Sequence, residues 1–154
     1  MAKSPGERTG RFLLKGLCER KGNHMSQTEY VSGVCNIGPQ EVAIRRKIGW
    51  ISLAVAVVLL ALLIGARVNP LWRFFVFFPA ALSATGFIQA HFHFCAGHAH
   101  RGIFNFGSLG QSVKIDDPSS KILDKRKGNQ IFLYSILIGA AVAVLCVVEG
   151  YVVQ

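Results

Sequence analysis

The chain has 154 residues, of which 51% are hydrophobic and only 16% are charged, and its mean hydropathy is +0.40. This composition excludes an ordinary water-soluble domain, which carries a larger charged share, and the length leaves room for one small unit. The net charge is +9, but the basic residues are not interleaved with aromatic residues as in a folded nucleic-acid-binding module. We therefore expect no nucleic-acid partner.

Residues 1–33 are predicted to form a flexible, basic cytoplasmic tail. They contain no apolar core followed by a small-residue cleavage site, so a cleavable signal peptide is not expected. Met25 opens a stretch that resembles a natural protein start, which leaves open whether residues 1–24 belong to the native protein.

Residues 34–110 are predicted to form a helical membrane hairpin. Pro39 suits the first turn of a helix, and Glu41 places a negative charge where it complements the helix dipole. The segment from Ile48 to Ala66 carries no charge, and about 19 helical residues span roughly 30 Å of hydrocarbon. Asn69 and Pro70 then indicate a tight turn into a second span.

The second span extends from Leu71 to about Cys95 and is the least regular of the three. Its uncharged core contains Pro79, Gly86 and Gln89, and membrane helices tolerate such breakers because neighbouring groups satisfy the freed backbone. We expect Arg73 to lie at the interface with its guanidinium reaching water. A re-entrant or surface-lying segment is the alternative to a full span.

A cytoplasmic loop is predicted at residues 111–130 and a third transmembrane helix at residues 131–154. Ser119 or Ser120 is expected to cap a short helix inside the loop. The third span has a face of small residues suited to close helix packing, formed by Gly139, Ala140, Ala141 and Ala143. The fold class is therefore an all-α integral membrane protein with three transmembrane helices, a hairpin plus a third span.

The distribution of lysine and arginine predicts the orientation. Nine basic residues precede the first span, the first loop has only two, and the second loop has six. The positive-inside rule then places the N-terminus and the second loop in the cytoplasm. The same basic residues are expected to attract anionic lipid head groups.

The segment HFHFCAGHAH concentrates four of the five histidines and one cysteine. If the second helix continues past Ala90, His91, Cys95 and His98 lie at positions i, i+4 and i+7, on one helix face. His93 and His100 form a second stripe, and Cys35 is the nearest additional thiol. Imidazole and thiolate ligands suit a zinc, copper or iron ion, and one histidine as an axial haem ligand is the less favoured alternative.

Two other interpretations of this segment stand beside metal binding. Histidines and aromatics are common at membrane interfaces, so the cluster also fits a packing role. Cys35 and Cys95 are a candidate pair for thiol chemistry, and a reducing cytoplasm argues against a structural disulfide. No CxxC, HExxH or CxxCH motif, nucleotide loop or pair of carboxylates is present, so no catalytic residue is assigned and an enzyme is not the favoured prediction.

The segments CNIGPQEVAIRR and ATGFIQAHFHFCAGHAHRGIFNFG resemble a group of small bacterial inner-membrane proteins and, more distantly, the YgaP-like transmembrane domain. That domain is a two-helix membrane unit sometimes fused to a rhodanese. The matching positions lie between residues 34 and 110, at Asn36, Gly38, Arg45, Gly86, Cys95, Arg101 and Gly102. The resemblance implies a helical membrane unit and no particular reaction. The additional histidines, the long distance from Gly86 to Cys95 and the third span depart from it.

Two functions are consistent with these observations. The first is an accessory or structural subunit, in which helix faces with small residues and aromatics contact a protein partner or further copies of the chain. The alternative is a metal- or thiol-dependent membrane protein that uses the His/Cys cluster at residues 91–100.

Overall fold

The computed structural model describes residues 30–107 and 109–153. The predictions for residues 1–29, including most of the flexible tail and the start at Met25, lie outside these residues. The described chain divides into two compact units. Unit 1 comprises residues 30–43 and 89–129, and unit 2 comprises residues 44–88 and 130–153.

The described part of the chain is mostly helical. Its elements, in chain order, are α1 (Pro39–Gly65), a 3-10 helix (Pro70–Val76), α2 (Phe77–Phe92), α3 (Ala96–Arg101), β1 (Ile103–Phe104), β2 (Val113–Lys114) and α4 (Pro118–Val153). Helix α1 begins at Pro39, as the sequence predicts, because the fixed φ of proline fits the first helical turn.

Three helical segments are long and apolar enough to cross a membrane. They are Pro39–Gly65, Pro70–Phe92 and Pro118–Val152, with mean hydropathies of 2.7, 1.5 and 2.8 over their most apolar windows. This result confirms the three predicted apolar helices. The lowest hydropathy belongs to the second span, which contains Pro79, Gly86 and Gln89. By length and composition, these helices are those of a multi-pass membrane protein.

The elements depart from the predictions in three places. The second span opens with a 3-10 helix, capped by Asn69, whose Oδ1 accepts a hydrogen bond from the Leu71 N–H at 3.0 Å. Helix α4 starts at Pro118 and continues without a break, so no separate loop helix precedes the third span. The antiparallel pair β1–β2, with Ile103 opposite Lys114, lies where only irregular loop was expected.

The start of α4 is capped by Asp117 and not by either predicted serine. The carboxylate accepts the backbone N–H groups of Ser119 and Ser120 at 3.3 and 2.9 Å, and it also accepts both serine hydroxyls. These hydrogen bonds hold the pKa of Asp117 well below its usual range. The serines are therefore donors to the cap, because the carboxylate is the stronger acceptor for the free N–H groups of a helix N-terminus.

Within unit 2, α1 and α2 approach each other closely through glycine and serine. A Cβ at Gly86 would lie 2.7 Å from both the Arg45 carbonyl oxygen and the Gly49 nitrogen, which is closer than side chains come to backbone. The buried Ser83 hydroxyl donates to the Gly49 carbonyl oxygen at 2.9 Å. Small residues at such a crossing allow backbone-to-backbone contact, the usual basis of helix association in lipid.

The small residues of α4 are partly used inside the same unit. A Cβ at Gly139 would lie 2.7 Å from the Cβ of Ala81, and Ala143 has no exposed surface. Ala141, in contrast, is exposed. The predicted small-residue face of the third helix therefore does pack closely, and Gly139 and Ala143 are covered within the chain itself.

The position of Arg73 differs from the prediction that its guanidinium reaches water. The side chain is only 6% exposed, and Nη1 donates to the Cys146 carbonyl oxygen at 3.4 Å. Gly150 makes this position possible, since a Cβ there would lie 2.6 Å from Nη1. Arg73 turns inward because α4 presents a carbonyl and a glycine at the same level.

Candidate functional site

The His/Cys segment does not continue helix α2. The helix ends at Phe92, and His93 adopts a left-handed backbone conformation with φ of +50°. The N–H of Phe94 then donates to the Gln89 carbonyl oxygen at 3.0 Å, which is the long bond of a Schellman motif with His93 at the position that glycine usually fills. A new short helix, α3, begins after Cys95.

This helix end removes the basis of the predicted metal-binding face. Positions i, i+4 and i+7 share a face only along one continuous helix, and a left-handed residue separates His91 from Cys95 and His98. Within residues 30–107 and 109–153, no three His, Cys, Asp or Glu side chains are grouped so that they could hold a metal ion. The one-face arrangement of His91, Cys95 and His98, which required the second helix to continue through these residues, is therefore not formed.

The four histidines and Cys95 have different surroundings. His91 and His100 are exposed, and His93 and His98 are half-buried. Cys95 is 3% exposed and lies in an apolar cluster with Ile37, Val42 and Ala90. The cysteine is not disulfide-bonded, and its apolar surroundings are typical of a packing residue.

The backbone of Cys95 is held by the side chain of Asn36, which is completely buried. The Asn36 Nδ2 donates to the Cys95 carbonyl oxygen at 3.0 Å, and the Cys95 N–H donates to the Asn36 Oδ1 at 2.6 Å. The backbone N–H groups of Asn36 and Ile37 both donate to the His93 carbonyl oxygen, at 3.1 and 3.3 Å. The Asn36 side chain therefore makes the pair of backbone hydrogen bonds that a neighbouring strand would otherwise make, and it fixes the turn between α2 and α3.

A second asparagine, Asn105, extends this network. Its N–H donates to the Asn36 carbonyl oxygen at 2.9 Å, and its own carbonyl accepts from the Gly38 N–H at 2.7 Å. A Cβ at Gly38 would lie 2.9 Å from the Phe106 carbonyl oxygen, so only glycine allows this approach. The tripeptides Asn36-Ile37-Gly38 and Asn105-Phe106-Gly107 thus lie side by side, with Ile37 bridged in parallel to Asn105.

Glu41 and His98 are joined to the same network. The Asn105 Nδ2 donates to Glu41 Oε1 at 3.3 Å, and the His98 Nε2 lies 3.7 Å from the same oxygen. The side chains of His98 and Glu41 are 15% and 12% exposed. His98 is therefore placed beside a carboxylate at the first turn of α1, and Cys95 lies in a different, apolar cluster.

Asp124 on α4 fixes the start of the described chain. This buried carboxylate accepts the Tyr30 hydroxyl at 2.7 Å and the Gly33 N–H at 2.6 Å. The Tyr30 ring stacks on Phe104 at 4.7 Å between centroids. Burial, followed by the hydrogen bond to Asp124, raises the pKa of Tyr30 above its usual range, so the phenol stays protonated as a donor.

Cys35 does not join Cys95. Cys35 is 1% exposed and packs with Phe104, Phe106 and Ile115 in an apolar cluster separate from that of Cys95. Cys35 is disulfide-bonded, whereas Cys95 is not. This state differs from the free Cys35 thiol expected in a reducing cytoplasm, and the thiol pair proposed from the sequence is not formed.

The polar side chains of this region hold the connecting segments in a fixed fold. The side-chain oxygens of Asn36, Asn105 and Asp124 accept backbone N–H groups of this connection, and such groups need partners when they are buried. Asn105 and Asp124 were not singled out from the sequence. The repeat of Asn-x-Gly at residues 36–38 and 105–107 was an available signal for Asn105, and nothing local distinguishes Asp124 from other acidic residues.

The fold and the site define a mostly helical protein with three apolar helices of membrane-spanning length and a hydrogen-bonded connection formed by residues 30–38, 93–107 and 124. Comparison with protein families, curated proteins and solved structures gave no match. The resemblance to the YgaP-like transmembrane domain therefore stays a prediction that rests on the quoted residues.

Proposed function

We propose that this chain is a structural or accessory subunit of a membrane complex or homo-oligomer in a bacterial inner membrane, with its N-terminus in the cytoplasm. The observation that carries this proposal is the small buried share of the three apolar helices. Only 17%, 28% and 28% of their most apolar windows are buried within the chain, in the order α1, second span and α4. Most of each helix is therefore left for contact with lipid or with another helix.

Helix α1 is the preferred contact surface because it has the smallest buried share. Val55, Val58 and Leu62 follow one another at spacings of three and four residues and are 52%, 58% and 65% exposed. Residues at this spacing share a helix face. Association through this face is consistent with the packing forces that act between helices in lipid.

The network of unit 1 supports a structural role over a solitary catalytic one. Asn36 and Asn105 bind the backbone, Cys95 is enclosed by apolar side chains, and Asp124 accepts two internal donors. Groups engaged in this way maintain a surface of fixed shape. A surface of fixed shape is suited to contact with a partner subunit.

The hydrogen bonds of unit 1 also support an even number of membrane crossings, two, between the segment before α1 and the segment after α2. The segment before α1 bonds directly to the segment between α2 and α4, through Asn36 to Cys95, and to the N-terminal part of α4, through Tyr30 to Asp124. Two segments in such contact must lie on the same side of a membrane. The excess of basic residues in these parts of the sequence favours the cytoplasmic side.

The experiment is native mass spectrometry of protein extracted in a mild detergent, without a histidine-rich tag. We expect a complex of two or more copies, or a stoichiometric partner subunit. Replacing Val58 and Leu62 by alanine should weaken that complex. The matched control is Leu137→Ala with Val144→Ala on α4, where the two side chains are 55% and 54% exposed. A monomer without partner in gentle extraction contradicts the proposal.

Metal analysis of the same sample tests the alternative function. Near-stoichiometric zinc, copper or iron that is lost in Cys95→Ala with His98→Ala, while assembly is retained, would favour a metal-dependent protein. If the cluster serves packing, the same substitutions reduce stability or assembly and change no metal content. The two results differ because removing a ligand side chain abolishes metal binding, whereas removing a packed side chain reduces the stability of the fold.

A further inference from the structure

Arg73 is a buried cation in unit 2 whose hydrogen bonds are incomplete. A guanidinium carries five N–H donors. The only hydrogen bond it makes within the described chain is the one from Nη1 to the Cys146 carbonyl oxygen, which is long at 3.4 Å. Its Nε is enclosed and has no hydrogen-bond partner among the described residues.

The environment makes this arrangement unfavourable for the protein alone. Burying a charged group without adequate partners is strongly destabilising, and arginine in an apolar helix is normally paired or reaches the interface. Arg73 is 6% exposed in the 3-10 helix that opens the second candidate span. An anion beside the guanidinium would offset this destabilisation.

The charges near Arg73 favour a negatively charged ligand. Apart from the three basic residues near the start of α1, the described residues of unit 2 contain two basic residues, Arg67 and Arg73, and one acidic residue, Glu149. The Glu149 side chain is exposed, and so is that of Arg67, three residues before the 3-10 helix. The carboxylate therefore neutralises at most one of the two arginines, and a positive charge remains at this end of the unit.

The aromatic residues around Arg73 indicate the level of the lipid head groups. Trp72 and Phe75 are 56% and 49% exposed, and their rings stack at 5.6 Å between centroids. Exposed tryptophan at the end of an apolar helix is typical of the membrane–water interface. The phosphate groups of phospholipids occupy that same level, and arginine is the residue best suited to bind phosphate through parallel hydrogen bonds.

We propose that Arg73 binds the phosphate of an anionic phospholipid headgroup at the end of unit 2 formed by the 3-10 helix and Gly150. Gly150 is part of the site because any side chain there would displace the guanidinium from its place on α4. This lipid contact is distinct from the general attraction of the basic loops to anionic membranes. It also does not depend on whether the chain forms oligomers.

The test is thermal unfolding of delipidated protein in a mild detergent. The added probe is phosphatidylglycerol, phosphatidylcholine or inorganic phosphate at equal concentration. We expect phosphatidylglycerol to raise the unfolding midpoint by on the order of 4 °C and the other two to raise it far less. An equal rise with inorganic phosphate would assign the site to free phosphate and overturn the lipid proposal. An equal rise with phosphatidylcholine would show a general lipid effect and would also overturn it.

Two variants locate the effect. Arg73→Gln should abolish the rise caused by phosphatidylglycerol, whereas Arg67→Gln, the exposed arginine nearby in sequence, should retain it. If Arg73→Gln does not fold, Arg73→Lys decides, because lysine keeps the charge and loses the planar fork. We expect about tenfold more phosphatidylglycerol for half of the effect in Arg73→Lys. A rise that is unchanged in either folded Arg73 variant overturns the proposal.

Discussion

Asn36 and Gly86 show how differently the two units are held together. In unit 1, the buried Asn36 side chain makes two hydrogen bonds to the backbone of Cys95. In unit 2, Gly86 has no side chain, and this lets the backbones of two helices come into contact. The difference corresponds to the local structure: unit 1 connects short elements whose backbone groups need partners, whereas unit 2 consists of long helices that satisfy their own.

This contrast has a consequence for the type of substitution that each unit tolerates. Unit 2 should be sensitive to added volume at its crossings and insensitive to it elsewhere. Unit 1 should be sensitive to the loss of particular polar atoms. The contrast fails if a crossing glycine accepts a methyl group or if a network asparagine is dispensable.

The largest effect is expected for Gly86→Ala in unit 2. The new methyl group would lie 2.7 Å from backbone atoms of α1, which cannot move aside as a side-chain end can. We expect a loss of about 3 kcal/mol in the free energy of unfolding. Unfolding in detergent measures it. Gly65→Ala is the control, since a Cβ there has nothing within 4 Å, and equal effects of the two substitutions would contradict the close crossing.

A loss of similar or slightly smaller size is expected for Asn36→Ala in unit 1. The substitution leaves the buried Cys95 N–H without its Asn36 acceptor, which costs about 2–3 kcal/mol, whereas the Cys95 carbonyl keeps its hydrogen bond from the Ala99 N–H. Hydrogen exchange should show a faster Cys95 amide, with the amides of α1 beyond Ala43 much less affected. Asn129→Ala, at an exposed position of α4, is the matched control. An unchanged Cys95 amide would show that the network is not what fixes this turn.

The smallest effect is the pH dependence of the α4 start. The pKa of Asp117 is lowered in the folded chain by its hydrogen bonds, so its contribution is complete above the ordinary carboxyl pKa of about 3.9. It is lost as the pH falls from there through the lower folded value. We expect the protection factors of the Ser119 and Ser120 amides, which compare their exchange with that of an unfolded chain at the same pH, to fall in acid, with no such additional change in Asp117→Asn. If the protection of these two amides in the wild type did not change with pH, this would argue against the cap.

The apolar spans and the start of α1 were predictable because their causes are local. An uncharged run of about 20 residues indicates a span wherever it occurs, and Pro39 fits a first helical turn without help from distant residues. The end of α2 was not predictable in this way. A histidine seldom adopts the left-handed conformation, and His93 does so with its carbonyl bonded to Asn36 and Ile37 more than fifty positions earlier.

The sequence by itself therefore determined three apolar helices of membrane-spanning length, since hydropathy sums along a continuous segment. The tertiary structure decided which side chains of the HFHFCAGHAH segment come together. It enclosed Cys95 in an apolar cluster with Ile37, Val42 and Ala90. It also turned Arg73 inward to Cys146 and brought Asp124 to Tyr30. These contacts join residues far apart in the chain, and their geometry depends on backbone turns and glycine crossings that no local pattern encodes.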